Sequence, residues 1–157
     1  MPVIINQREI TDEEVFNEMQ YHPAKTRSEA MDLAAKALVV RELLIQEAIA
    51  KGILDEQDAL ESGISTDDKR IADLLESEIK TPQADEASCK MFYNNNKKKF
   101  AKNDGSIAEF DTVHQIIAEY LTDSSWQIAV RQYIKILAGK AKISGVDFEI
   151  SDSPLTQ

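Results

Sequence analysis

The stretch from Met31 to Ile49 constrains what this chain can fold into more than any other. Met31, Leu33, Ala34, Ala37, Leu38, Val40, Leu44, Ile45, Ala48 and Ile49 recur at helical spacing. Thr26-Arg27-Ser28-Glu29 supplies a capping box before them and Lys51-Gly52 a stop after them. A helix of roughly 25 residues reaches about 37 Å. Its apolar positions cover too wide an arc for one neighbouring helix to bury, so other parts of the chain must pack on it from several sides. The 157 residues allow one ordinary domain or one core with an extension, and five Gly with four Pro are too few for an all-β or loop-rich chain. The fold class that follows is mainly α.

The remaining segments read around this central helix. Val3-Ile4-Ile5 and Ile10 flank Asn6-Gln7-Arg8 as a short strand, a turn and a second extended piece. Thr11-Asp12-Glu13-Glu14 is a capping box, and Val15, Phe16 and Met19 after it predict a helix over 12–20 that His22-Pro23 ends. Ile71, Leu74, Leu75 and Ile79 follow Ser65-Thr66-Asp67 at helical spacing. Thr81-Pro82 reads as an N-cap and first helical residue, leading through Cys89, Met91, Phe92 and Tyr93 into the basic run Lys97-Lys98-Lys99. Lys102-Asn103-Asp104-Gly105 is turn-prone. A second long amphipathic helix is expected from Thr112 to about Ala138, closed by Gly139. Ile143, Val146, Phe148 and Ile150 then form an extended segment that can pair with Val3-Ile4-Ile5 and join the termini.

Charge and motifs exclude several function classes. Eighteen Lys and Arg against 28 Asp and Glu leave a formal charge of −10, the wrong sign for nucleic acid as a partner. Residues 55–86 hold eleven of the acids against Lys69, Arg70 and Lys80. They read as the wet face of a helix, because the ligand alternation and turn glycine of a calcium loop are missing. From Ser124 to Val146 the only charges are Arg131, Lys135, Lys140 and Lys142, which suits that end to packing against the acidic middle. No dinucleotide, P-loop, zinc-protease or nucleophile-elbow motif occurs, so no cofactor, metal or catalytic residue is assigned. Cys89, alone, reads as a small semi-buried helix residue. His22 and His114 read as a helix-end and a helix-surface residue rather than general bases. No window of about twenty apolar residues and no basic leader is present, so no membrane partner is expected. The chain as written reads as cytoplasmic, and a chain whose signal peptide had been removed would read the same, which leaves the periplasm as the alternative.

Two uses compete for the Met and aromatic residues. Core packing accounts for most such side chains, and the other use is an open apolar groove, where these types adapt to varied partners. The groove candidates are Phe16, Met19, Tyr21, Phe92, Tyr93 and Trp126.

The order of these segments resembles the helical chaperone part of the SurA-like and NifM-type parvulin peptidyl-prolyl isomerases. The opening Val3-Ile4-Ile5-Asn6-Gln7-Arg8-Glu9-Ile10-Thr11-Asp12-Glu13-Glu14-Val15 is similar to the family's V-V-N-G-x-x-I-T-x-x-E-V, with Gln7 at the turn Gly. Ala34 to Ile53, above all Arg41 to Ala48, is similar to its central A-x-x-x-L-I-x-x-x-L-L-x-x-E-A-x-x-x-G-I. Phe92-Tyr93-Asn94 through Phe100 is similar to Y-Y-x-x-N-x-x-x-F. A parvulin domain should follow, but Ala101 to Ser106 leads straight to Glu109-Phe110-Asp111-Thr112-Val113, which looks like the segment after that domain. The isomerase is absent, naturally or by engineering.

The resemblance implies a SurA N-terminal-like helical chaperone domain with short terminal strands. It would be a single domain over 1–157, built from 1–101 and 107–157 and joined at 102–106. It implies binding of unfolded or partly folded polypeptides without ATP and without isomerase catalysis. A homodimerising assembly module, perhaps with exchanged helices, and a residual isomerase are the alternatives.

Overall fold

A computed structural model describes residues 2–57, 64–81 and 83–146, apart from the side chains of 64–67. In chain order the elements are β1 (Val3–Ile5), β2 (Arg8–Ile10), α1 (Asp12–Glu18), a 3-10 turn (Met19–Tyr21), α2 (Arg27–Ala50) and α3 (Ile64–Glu78). They continue with α4 (Glu86–Asn95), a second 3-10 turn (Lys97–Phe100), α5 (Phe110–Lys140) and β3 (Ile143–Ser144). The protein is mainly helical, with one small antiparallel sheet in the order β2-β1-β3. It divides into two compact units, the first from Met1–Ile79 with Val130–Gln157 and the second from Lys80–Ala129. The joint expected at 102–106 is a turn inside the second unit.

In the first unit α2 is the packing axis. Ala34, Ala35, Val39, Val40, Leu43, Leu44 and Ala48 are all buried, an arc that takes in consecutive positions and needs more than one neighbour. Those neighbours are α1, the first 3-10 turn, β1 and α3. Thr26 caps α2 by accepting the Glu29 amide at 3.1 Å. At the other end Gly52 takes φ 75° while Ile53 N donates to Ala48 O at 2.9 Å. α1 begins with the full capping box: Thr11 Oγ1 accepts the Glu14 amide at 3.1 Å, and Glu14 Oε2 accepts the Thr11 amide at 2.8 Å. α3 buries Leu74, and Ile79 just past its end, while Asp68, Glu76 and Glu78 face outward, as the acidic stretch predicts. Ion pairs from Arg41 to Asp68 and from Lys51 to Glu78 link α3 to α2 and to its C-cap.

The hairpin turns at Asn6, whose φ of 57° lies in the left-handed region that Asn tolerates. The special conformation falls on Asn6, so Gln7 at the family's glycine position carries no backbone penalty. β1 is the central strand, with Val3, Ile5 and, on β2, Ile10 buried. β3 pairs with it in the register Ile4↔Ser144 and Ile5↔Ile143, as the terminal pairing predicts; Phe148 and Ile150 lie outside the described residues. Gly145 follows β3 at φ 86°, and a Cβ there would stand 2.0 Å from the Pro2 carbonyl oxygen, so only glycine fits.

A polar chain seats this sheet on α2. Glu42, buried at 7% exposure, accepts from Arg8 at 2.9 Å and from Gln46 at 3.1 Å. Arg8 reaches Glu14 of α1 with its other nitrogen at 2.9 Å. Asn6 Nδ2 donates to Gln46 Oε1 at 2.5 Å, and Asn6 Oδ1 accepts the Lys142 amide at 3.1 Å. Hairpin, α1, α2 and the residue before β3 are thereby joined through five side chains, those of Asn6, Arg8, Glu14, Glu42 and Gln46.

Two expected boundaries move. Asp85, not Thr81, caps α4, taking the Ser88 amide at 2.7 Å; Pro82 lies outside the described residues. The reason is chemical: a carboxylate one residue before the helix is a stronger acceptor than a hydroxyl, and Asp85-Glu86 brings charge favourable to the N-terminus. Gly139 does not close α5, which continues to Lys140 with the glycine in helical conformation.

Arg8→Met should lower stability by about 1–3 kcal/mol, since it takes a charged partner from a buried carboxylate and unlinks three elements. Arg8→Lys should recover part of that loss. Urea unfolding midpoints of the three proteins check this.

Candidate functional site

The six groove candidates divide between the units. Phe16, Met19 and Tyr21 belong to the first and Phe92, Tyr93 and Trp126 to the second. None of the six is fully buried.

In the first unit, the chain leaves α1 through the 3-10 turn and reverses at His22-Pro23 before α2. An open concavity of about 600 Å³ forms there, lined by the apolar Phe16, Met19, Pro23 and Ala30 and by polar residues among which are Asn17, Gln20, Lys25 and Arg27. Phe16 is 62% exposed and Met19 half-buried. Tyr21, 64% exposed, stands in the same turn outside the lining. His22 is spoken for: its Nε2 pairs with Glu18 Oε1 at 3.0 Å across one helical turn, and its amide donates to Met19 O at 3.0 Å. Its place in holding the reversal matches the helix-end reading.

In the second unit the aromatic residues form a cluster. Phe92 meets Phe100 edge-on at 6.3 Å and Tyr120 at 5.3 Å between ring centroids, and Tyr93 meets Phe100 at 5.4 Å and Phe110 at 5.6 Å. His114 stacks on Phe110 at 4.8 Å. The Tyr93 hydroxyl donates to Ala108 O at 2.5 Å, and the turn between the rings closes through Lys102 N to Ser106 O at 2.7 Å and the Ala101↔Ile107 bridge. Beneath the cluster Cys89 and Ile117 are buried. Trp126 lies outside it, six residues along α5 from Tyr120 and roughly 240° round the helix.

Side-chain type pointed to Phe92 and Tyr93 but missed what surrounds them. Lys99 Nζ lies 5.7 Å from the Phe92 ring centroid, Lys97 Nζ 6.0 Å from that of Tyr93 and Lys90 Nζ 5.9 Å from that of Phe110. The signal available in the sequence was the basic run next to Phe100. Ile116 and Tyr120, one turn apart on α5, are 64% and 53% exposed.

Three titratable groups depart from their ordinary behaviour for local reasons. Burial, reinforced by Asp85 and Glu86, pushes the Cys89 thiol up, so it stays protonated and is a poor nucleophile. The Ser106 hydroxyl and amide hold the exposed Asp104 carboxyl below its usual range. In the first unit the Tyr133 hydroxyl is buried without a hydrogen-bond partner among the described residues. Burial first, then the carboxylates of Glu47 and Glu78, pushes its phenol up to about 12. No group of three His, Cys, Asp or Glu among the described residues is arranged to hold a metal ion. No described helix is long and apolar enough to cross a membrane.

No family model, curated protein or solved structure matches the chain.

Cys89 should resist a thiol reagent at neutral pH in the native protein and react fully in denaturant, as a timed colorimetric titration would show. Tyr133→Phe should leave stability at neutral pH unchanged or slightly raised, because the lost hydroxyl has no hydrogen-bond partner among the described residues. In the parent, the raised phenol favours the folded state below about pH 10, and this contribution disappears as pH rises through about 12. The variant should therefore keep more of its stability at pH 11 than the parent, measured by urea midpoints at pH 8 and pH 11.

Proposed function

We propose that this protein binds unfolded or partly folded polypeptides without nucleotide, as a SurA-like helical chaperone domain that carries no parvulin isomerase. The observation that carries the reading is the turn after α1. Phe16 is more than half exposed at a concavity that Met19 and Pro23 line together with polar residues such as Asn17 and Gln20, and Tyr21 is as exposed in the same turn outside it, on a segment anchored by the His22–Glu18 pair and the Thr26 cap. Large apolar side chains held open at such a place have no use in the core and match the needs of a ligand without fixed sequence.

The second support is the turn at 102–106. The resemblance puts a catalytic domain there, and the chain instead passes from Ala101 to Ile107 through a short hydrogen-bonded turn. The histidines are engaged with Glu18 and Phe110 and the thiol of Cys89 is buried, which supports a reading of binding rather than bond chemistry.

The test is suppression of aggregation of an unfolded model protein, titrated against this chain, with mass recorded by light scattering in the same buffer. The parent should suppress at near-stoichiometric ratios, and Phe16→Ser with Tyr21→Ser should lose most of that capacity while melting within a few degrees of the parent. No suppression by the parent, together with a stable dimer, would give the apolar surfaces to self-association and put the assembly module in front. Acceleration of proline-peptide isomerisation above background would restore the enzyme reading.

A further inference from the structure

The basic run of the second unit is part of a constructed surface. Lys97, Lys98, Lys99 and Lys102 are exposed and make no ion pair with any described residue, while Lys90 is shared with Glu86 at 3.4 Å. The nearest acid along the chain, Asp104, is turned onto Ser106, whose amide and hydroxyl it accepts at 2.9 and 2.6 Å. The second unit has six lysines against seven acids, so it is close to neutral, yet four of its cations sit within six residues. Lys97 and Lys99 project beside the rings of Tyr93 and Phe92. Next to those rings Tyr120 and Ile116 leave apolar surface open on α5.

We infer that this surface is a second polypeptide site, taking acidic segments that also carry an aromatic or aliphatic side chain. Carboxylates meet Lys97, Lys98 and Lys99, and the apolar side chain lies on Phe92 and Tyr120. The charge of the surface selects the sign of the ligand, since unpaired ammonium groups lose little on meeting carboxylates and steer them in. The rings select against a bare polyanion, which would leave Tyr120 and Ile116 uncovered. The inference rests on the polypeptide-binding reading above and divides its clients: apolar segments at the turn after α1, acidic amphipathic ones at the second unit.

Fluorescence anisotropy of a labelled peptide alternating Glu and Leu with one Phe tests it on the full chain. The peptide should bind with affinity that falls as salt rises. Lys97→Gln, Lys98→Gln and Lys99→Gln together should weaken it by about tenfold or more. Phe16→Ser with Tyr21→Ser should leave that binding intact while losing aggregation suppression, which separates failure of this site from failure of the general reading. Equal binding of an analogue with Lys for Glu, or no effect of the triple substitution, would overturn the inference. Equally strong binding of oligothymidylate, or of a Glu peptide lacking Leu and Phe, would overturn it in favour of any polyanion. A salt-sensitive dimer abolished by the triple substitution would give the surface to a second copy of this chain.

Discussion

Glu42 is a carboxylate buried on the face of α2 that packs inward, and such a group is costly unless its lone pairs are met. Arg8 and Gln46 meet them, and in doing so they set where the hairpin can sit. Strands of three, three and two residues are too short to hold a sheet alone. The sheet exists because Val3, Ile5 and Ile10 are buried and because the same Arg8 spans to Glu14 on α1. A polar link therefore orients a contact whose driving force is apolar. The orientation of α1, and with it the turn that holds Phe16 and Tyr21 open, inherits the geometry of that link.

The helices were legible where one residue type decides the outcome. Thr11 and Thr26 are caps because the oxygen and the orphan amide lie three residues apart along the chain, a relation that sequence states directly. The terminal strand pairing was legible from two apolar runs with no other partner. Thr81 failed because Asp85, four residues later, competed for the same role and is the better acceptor. Gly139 failed because a glycine ends a helix only where the next turn has nothing to hold it, and α5 keeps its hydrogen bonding to Lys140. Of the candidate surface, the residue types could be named but not their grouping: Trp126 falls outside the ring cluster, and Phe110, Phe100 and Tyr120 come into it through the turn at 102–106. That grouping depends on tertiary contacts across a reversal, which periodicity within one helix does not encode.

The two units offer contrasting apolar surfaces. At the turn after α1 the rings stand apart, one beside a concavity and one outside it, and a ligand would be gripped by shape and hydrophobicity alone. In the second unit the rings support one another, Phe92 and Phe100 edge to face and the others tilted, and lysines flank them, so apolar area and charge are presented together. The first surface suits segments of little character and the second suits a pattern.

Lys80–Ala129 is an unbroken insertion between the two portions of the first unit. On a ribosome the inserted stretch is complete before β3 exists, and at about 5–20 residues per second its synthesis takes on the order of 3–10 s. For that interval β1 has β2 on one edge and nothing on the other, with the partner of Ile4 and Ile5 still to be made. The nascent molecule thus passes through a stage in which its opening strand, paired with β2 and packed on α2, still presents one open edge to which an extended segment of another chain could add.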